Sequence, residues 1–328
     1  MKLFGQDKYL KPGKGVDKNE KPKPPFLRFF IVLWNKRWGI MAINFIYVVF
    51  NLLMLLIAYG IFTGCLTLYG AYYPESSFMA ELAKSSPLQM EIYWKAIIFF
   101  VSFLTSIPVF CIGPTRAGFT YIFKSYYKSE PCFLWSDFIT KSRSNMKLSI
   151  TTSILSFVSF TLVCFSAAAT FIITRPENGI PFAICFTEWV VVFFFAALVL
   201  MLNLYVYPMM VTFNVTFKQL LKNSFILCII KWFRNLITLI LDAVIIALPL
   251  LLLPMTNYIV FVLSIVLYFA LVPGIITLIN MFMVYPVLKK YLIDNENADK
   301  SEKKAEPEKI IEEKKSQGRF ENGMWIED

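Results

Sequence analysis

Residues 243–288 read AVIIALPLLLLPMTNYIVFVLSIVLYFALVPGIITLINMFMVYPVL, a stretch without a charged side chain. The hydrocarbon core of a bilayer is about 30 Å thick, so an α-helix crosses it with roughly 20 apolar residues. The stretch is therefore long enough for two crossings, and Pro254, Thr256 and Asn257 predict the turn between them. This pattern predicts a helical hairpin embedded in a membrane.

Four more apolar stretches of similar length precede this pair. The six candidate spans cover residues 39–62, 95–113, 148–173, 189–211, 236–254 and 258–285. In lipid, backbone polar groups must be satisfied within each segment, so such spans are helical. We expect an all-α polytopic membrane protein with six transmembrane helices, arranged as three hairpins within the lipid bilayer. The first span follows a long polar leader rather than a short signal-peptide n-region, so we expect it to stay in the mature protein.

The basic residues are concentrated on one side of these spans. The opposite side carries only Lys84, Lys95 and Arg175, beside several acids. Loops rich in Lys and Arg stay in the cytoplasm, so both termini are predicted to be cytoplasmic. The net charge of +10 then faces anionic lipid headgroups, and we do not expect nucleic acid as a partner. The basic side holds Arg28, Lys36, Arg37, Arg116, Lys124, Lys128, Lys141, Arg143, Lys147, Lys218, Lys222, Lys231, Arg234, Lys289 and Lys290.

The chain divides into three parts by composition. Residues 1–25 mix Lys, Gly and Pro and are predicted to be a disordered basic leader. Residues 26–293 form the six-helix membrane domain. Residues 294–328 are a charged cytoplasmic tail, in which 309–315 could form a short solvated helix. Both ends are interpreted as solvated, with partner docking as the alternative.

Two loops on the basic side are amphipathic. In residues 213–228 and again in 119–147, apolar side chains recur at helical spacing between charged ones, and the second loop includes Trp135 and Asp137. These segments predict interfacial helices. Two roles remain open for them: resting on the membrane or the helix bundle, and binding a partner.

The second, fourth and sixth spans all end near a proline followed by basic residues. Residues 205–208 read YVYP and residues 283–286 read MVYP, with Pro208 and Pro286 closing the two motifs. An asparagine precedes each motif, Asn203 and Asn280. This similarity indicates either a weak internal repeat or the ordinary tolerance of proline at helix ends.

Side-chain chemistry argues against an enzyme. The chain has no histidine, which removes the commonest general base and the Ser-His triad, and it has no phosphate-binding glycine-rich loop. Its six cysteines show no CxxC spacing, so we expect no metal and no cofactor. Cys65 and Cys185 could both lie near the outer face, where they either pair or remain separate small apolar side chains.

Asp242 is the one acid well inside a predicted span. An intramembrane carboxylate costs about 2.5–3.5 kcal/mol on insertion scales, so it is a functional candidate. It lies eight residues beyond Arg234, which is about 12 Å along a helix and shallow enough for a structural or snorkelling role instead of a proton or cation site. Asn203 and Asn280 are its expected polar companions on neighbouring spans.

Several segments resemble one family of bacterial membrane proteins. Residues 112–121 read IGPTRAGFTY, in which Gly113, Pro114 and Gly118 resemble the Gly-Pro-small-small-Ala-Gly motif of the YesL-like family. Arg116 stands where that family usually has a small residue. Further similar segments are 3–5 (LFG), 11–16 (KPGKGV), 133–138 (FLWSDF), 145–147 (NMK), 211–213 (VTF), 218–219 (KQ) and 222–223 (KN).

The resemblance implies a helical protein of the bacterial cell membrane whose relatives are often associated with ATP-driven carbohydrate uptake. It supplies no catalytic residue, and Gly113, Pro114 and Gly118 are consistent with helix packing and helix breaks. The first functional hypothesis is a non-enzymatic accessory or regulatory component that engages permease subunits of a carbohydrate importer.

The alternative is a small-solute transporter or channel that uses Asp242 and the proline-broken spans. A polar, water-accessible cavity around Asp242 would favour transport, whereas a dry, aromatic-packed bundle would count against it.

Overall fold

The computed structural model describes residues 24–72, 87–175, 178–250, 258–294, 318–321 and 324–327. Most of the leader, residues 309–315 and the turn at 254–257 lie outside this part of the chain. The described helices are α1 (Pro25–Asn35), α2 (Arg37–Tyr72), α3 (Pro87–Lys128), α4 (Leu134–Ser144), α5 (Met146–Ile173), α6 (Phe182–Met210), α7 (Phe217–Ile230), α8 (Trp232–Leu250) and α9 (Tyr258–Leu288). A π-helical turn, Lys289–Ile293, extends α9.

Six of these helices are long and apolar enough to cross a membrane, as expected for the described part of the chain: α2, α3, α5, α6, α8 and α9. The predicted helical membrane protein is thereby confirmed. Outside the membrane domain, the tail adds a small antiparallel hairpin that was not expected from the sequence. Its strands are β1 (Gly318–Glu321) and β2 (Met324–Glu327), with Gly318 opposite Glu327.

Two spans extend past their predicted ends, and each of them passes a proline on the way. The second span was expected to end at Gly113, yet α3 continues through Pro114 to Lys128. The sixth span was expected to end at Tyr285, yet α9 continues through Pro286 to Leu288. Pro208 lies inside α6, as the predicted span 189–211 already had it. A proline removes one backbone donor but leaves the rest of the ladder intact, and neighbouring helices compensate for the loss in a membrane bundle.

The helices form three successive units of the same design. Each unit is a short helix, a break of one residue, a first span and a second span: α1–α3, α4–α6 and α7–α9. The break residues have similar backbone angles, with φ and ψ of −104° and 11° at Lys36, −101° and 8° at Asn145, and −115° and 31° at Lys231. Helix α4 and helix α7 confirm the predicted loop helices, and α1 is a third that was not predicted.

The three units contact one another in a closed ring, and the same pattern of helix contacts occurs three times. The second spans of the units, α3, α6 and α9, contact one another at the centre. Each first span packs between two of them: α2 between α9 and α3, α5 between α3 and α6, and α8 between α6 and α9. The expected hairpins are therefore interlocked, since every first span also contacts the preceding unit in the ring.

Burial along the first spans repeats from unit to unit. Counted from each break residue, the side chains at positions 4, 7 and 11 are buried in all three units. This spacing defines one helix face, the face turned toward the centre. The three sets are Ile40, Ile43 and Tyr47, then Ser149, Thr152 and Ser156, then Asn235, Thr238 and Asp242.

The outward surface of the spans is strongly apolar. Phe182, Phe193 and Leu248 are 83 %, 66 % and 63 % exposed, respectively. In a water-soluble protein such exposure would be costly, whereas lipid tails are themselves apolar. The surface is thus consistent with contact with a lipid bilayer.

A buried polar centre and a groove at the basic end

Asp242 lies in α8 and is only 8 % exposed. Its Oδ1 atom is buried without a hydrogen-bond partner in the described part of the chain. Asn280 on the adjacent helix α9 lies within hydrogen-bonding reach of the Asp242 carboxyl group. The Oδ1 atom of Asn280 is also buried and unpartnered. Within the described part of the chain, two buried acceptors on neighbouring helices therefore lack a protein donor, which a proton, a water molecule or a cation would satisfy.

Arg116 supplies a positive charge near Asp242. Its guanidinium lies 4.7 Å from the centroid of the Tyr207 ring, which joins α3 to α6. It also interacts electrostatically with Asp242 and Tyr47. A cation over an aromatic face keeps part of its charge stabilised away from water. We call Tyr47, Arg116, Tyr207, Asp242 and Asn280 the polar centre; it draws on five helices.

Asn203 does not join this centre, contrary to the expected pairing. Its Oδ1 accepts a hydrogen bond of 3.1 Å from Ser156 Oγ, and its Nδ2 donates 3.0 Å to the Val199 carbonyl. Asn203 therefore ties α6 to α5. Of the two asparagines predicted to accompany Asp242, the structure places only Asn280 beside it.

The glycines of the 112–121 segment lie at close helix contacts. A β-carbon on Gly113 would overlap Ser153 Oγ and lie 3.2 Å from the Tyr207 hydroxyl. A β-carbon on Gly118 would overlap the Phe138 carbonyl and Ser142 Oγ. Arg116 therefore does not prevent close packing, because α5 and α4 approach α3 through these two glycines on either side of it. Pro114, between them, lies within the continuous helix α3.

Asp137 and Trp135 lie at the start of α4, away from the polar centre. Asp137 Oδ2 accepts a hydrogen bond of 2.8 Å from the Phe133 N–H, so it stabilises the first turn of the helix. The Trp135 ring is 60 % exposed, and its centroid lies 6.1 Å from that of Phe50.

Basic residues from all three units lie at one end of the bundle, here called the basic end. Arg28 donates to the Tyr127 carbonyl and lies 4.7 Å from that ring. Lys124 Nζ donates 2.8 Å to the Val211 carbonyl at the end of α6. Lys231 Nζ lies 5.0 Å from the Tyr291 ring. These cations satisfy helix ends and stack on aromatic rings, as well as providing charge.

A groove of about 340 Å³ opens at the basic end. One wall is the start of α5, and the other is the segment that joins α6 to α7. Its polar lining includes Asn145, Lys147, Thr151, Asn214 and Thr216, and Met210 contributes an apolar surface. Asp242 is not among the lining residues, so the groove and the polar centre are separate features.

The thiols show no pairing in the described part of the chain. Cys185 is free, and the side chain of Cys65 lies outside the described residues. Burial raises the pKa of the Cys228 thiol in α7 to about 12 and raises the pKa of Cys132 as well. Among the described residues, no group of three or more His, Cys, Asp or Glu side chains could hold a metal ion.

The polar centre was only partly predictable. An acid inside an apolar stretch is conspicuous, so the sequence indicates Asp242, whereas Arg116 lies beyond the predicted end of the second span at Gly113. Tyr47 carried no signal, since tyrosine is common near membrane interfaces.

No protein-family model, curated protein or solved structure matches this chain.

Proposed function

We propose that this protein is a non-enzymatic accessory component of the bacterial cell membrane that engages permease subunits of a carbohydrate importer. Both termini and the basic end lie in the cytoplasm in this proposal, following the rule for Lys and Arg. The proposed link to carbohydrate uptake rests on the resemblance to the YesL-like family. The proposed docking surface is the exposed side of helix α7.

The main support for this proposal is the exposed surface of helix α7. Leu220, Leu227 and Cys228 are buried against the bundle, which holds the helix in place. Lys218 and Lys222 are exposed on its first half, and Phe225, Ile226, Ile229 and Ile230 are exposed farther along it. A fixed amphipathic helix with a free basic and apolar face is a common partner-binding element.

The surroundings of Asp242 agree better with this role than with transport. The neighbouring interior is dense with aromatic side chains: the Tyr47 ring lies 4.0 Å from Phe119, which packs on Phe123. Asp242 is itself buried in the bundle. A packed interior around the acid is the condition that counts against a solute pathway.

The test is affinity purification of the full chain from its native membranes in mild detergent, with mass spectrometry of the recovered proteins. We expect importer permease subunits with the unmodified protein and their loss with Lys218→Glu/Lys222→Glu. Arg175→Glu is the matched control, because it reverses an exposed charge outside the basic end. Recovery of the protein alone, or equal loss with Arg175→Glu, would contradict the docking role.

One observation favours the alternative function, a small-solute transporter. The unpartnered oxygens of Asp242 and Asn280 are what a site for a moving proton or cation would need. Solute uptake into proteoliposomes should then be abolished by Asp242→Asn and preserved by Asp137→Asn, an acid of the α4 cap. Uptake that survives Asp242→Asn would exclude this role for the polar centre.

A further inference from the structure

We propose that the groove at the start of α5 binds the phosphate of an anionic phospholipid headgroup. This inference is independent of the proposed partner and of the polar centre. It rests on the depth of the groove in the membrane, on its charge and on its mixed lining.

The groove lies beside the ends of two candidate membrane spans. The span of α5 begins at Met146, between the lining residues Asn145 and Lys147. The span of α6 ends at Met210, which also lines the groove. Because both helix ends lie at the groove, the proposal places the groove in the headgroup layer, where the phosphates of the lipids lie.

The chemistry of the lining suits a phosphate diester. Lys147 supplies an exposed ammonium group on one wall, and none of the lining residues is acidic. Thr216 and Phe217, on the other wall, are the N-cap and first residue of α7, a helix of 14 residues. A helix N-terminus carries a partial positive charge, so the two walls attract one anion from opposite sides. The amide of Asn214 adds a hydrogen-bond donor, whereas that of Asn145 already donates to the Lys141 carbonyl and to Ser144 Oγ.

The apolar part of the lining favours a lipid over a free phosphate ion. Leu148, Met210, Phe213 and Val215 lie in the same groove as Lys147. Met146, next to Lys147 in the chain, is 45 % exposed. A groove with polar walls and an apolar surface at the membrane boundary accommodates a headgroup together with its glycerol and upper acyl chain. Basic sites of this kind between spans are typical of anionic lipid binding.

The experiment measures lipid binding by the purified full chain in detergent. Native mass spectrometry would count adducts with phosphatidylglycerol and with phosphatidylcholine, and inorganic phosphate would be added as a competitor. We expect selective phosphatidylglycerol binding that weakens about fivefold in Lys147→Gln and is retained in Lys147→Arg. Arg143→Gln is the matched control, because Arg143 is an exposed basic residue of α4 that does not line the groove.

Three results would overturn the proposal. The first is equal binding of phosphatidylcholine and phosphatidylglycerol. The second is equal weakening in Arg143→Gln and Lys147→Gln, which would indicate a diffuse surface charge. The third is complete displacement by inorganic phosphate at concentrations comparable to the lipid, which would indicate a site for a soluble phosphate. Retained binding in Lys147→Arg shows that the fold tolerates substitution at this position.

Discussion

Gly113 is the residue on which the contact between α3 and α5 depends. A β-carbon there would overlap Ser153 Oγ, whereas one on Gly60 would meet nothing within 4 Å. We expect Gly113→Ala to lower the free energy of unfolding by about 1–3 kcal/mol, because overpacking forces neighbouring atoms to move. Thermal unfolding in detergent would measure the loss. Gly60→Ala should be neutral, and Ser153→Gly should restore part of the stability in the double variant; equal effects of the two alanines would contradict the contact.

Cys228 gives a prediction that depends on pH. Burial raises the pKa of its thiol to about 12 from an ordinary value of about 9, so the folded protein holds the proton more tightly than the unfolded chain. The stability that this provides is complete below pH 9 and is lost as the pH rises toward 12. At pH 8 we expect maleimide to label Cys228 only after denaturation, because the thiolate is the nucleophile. Peptide mass spectrometry would check this, and rapid labelling of the folded protein would contradict the burial.

At the scale of the element, the junction between α7 and α8 depends on Asn235. Its Oδ1 accepts a hydrogen bond of 2.6 Å from the Tyr205 hydroxyl, and its Nδ2 donates 3.2 Å to the Cys228 carbonyl. Asn235→Ala leaves these buried groups unpaired at a cost of about 1–3 kcal/mol. We expect faster amide hydrogen exchange throughout α7.

The matched control for this junction is Asn178→Ala. Asn178 also donates to carbonyls at the end of a helix, those of Ile172 and Ile173, but it is exposed and water can replace it. Exchange in α7 should remain unchanged in this variant. Equal exchange in α7 for both variants would mean that Asn235 does not hold the junction.

At the scale of the whole molecule, the ring is closed by contact between its first and last units. Asn44 Nδ2 in α2 donates 2.7 Å to the Ala270 carbonyl in α9, and a β-carbon on Gly274 would lie 2.7 Å from Asn44 Oδ1. The contact resembles that of Ser153 with Gly113 between the first and second units. Asn44 and Ser153 both lie eight residues after their break residues, which supports the repeated pattern of helix contacts.

The orientation of the whole molecule is testable with topology reporters. We expect a fluorescent protein fused after the final residue to fluoresce, because the basic end should face the cytoplasm. Alkaline phosphatase inserted between Arg175 and Asn178 should be active, because this loop should lie outside. An active phosphatase at the C-terminus would reverse the assignment.

The sequence predicted most of the architecture and less of its centre. Six spans, the loop helices α4 and α7 and the isolated acid Asp242 could be identified from local hydropathy and periodicity. The second and sixth spans continue through Pro114 and Pro286, beyond their predicted ends, because neighbouring helices compensate for the donor that proline lacks. The similar motifs that end at Pro208 and Pro286 indicated an internal repeat, but they occur in only two of the three units.

The amino-acid sequence by itself determined that the chain forms helices of membrane-spanning length, because that property follows from runs of apolar residues in one segment at a time. Only the tertiary structure decided that Asn280 rather than Asn203 lies beside Asp242, and that Arg116 reaches Tyr207 across the bundle. Those contacts depend on the order in which the spans surround the centre and on the rotation of each helix about its axis. Spans that are apolar on nearly all sides carry little amphipathic signal for that rotation, so buried polar contacts and close glycines settle it.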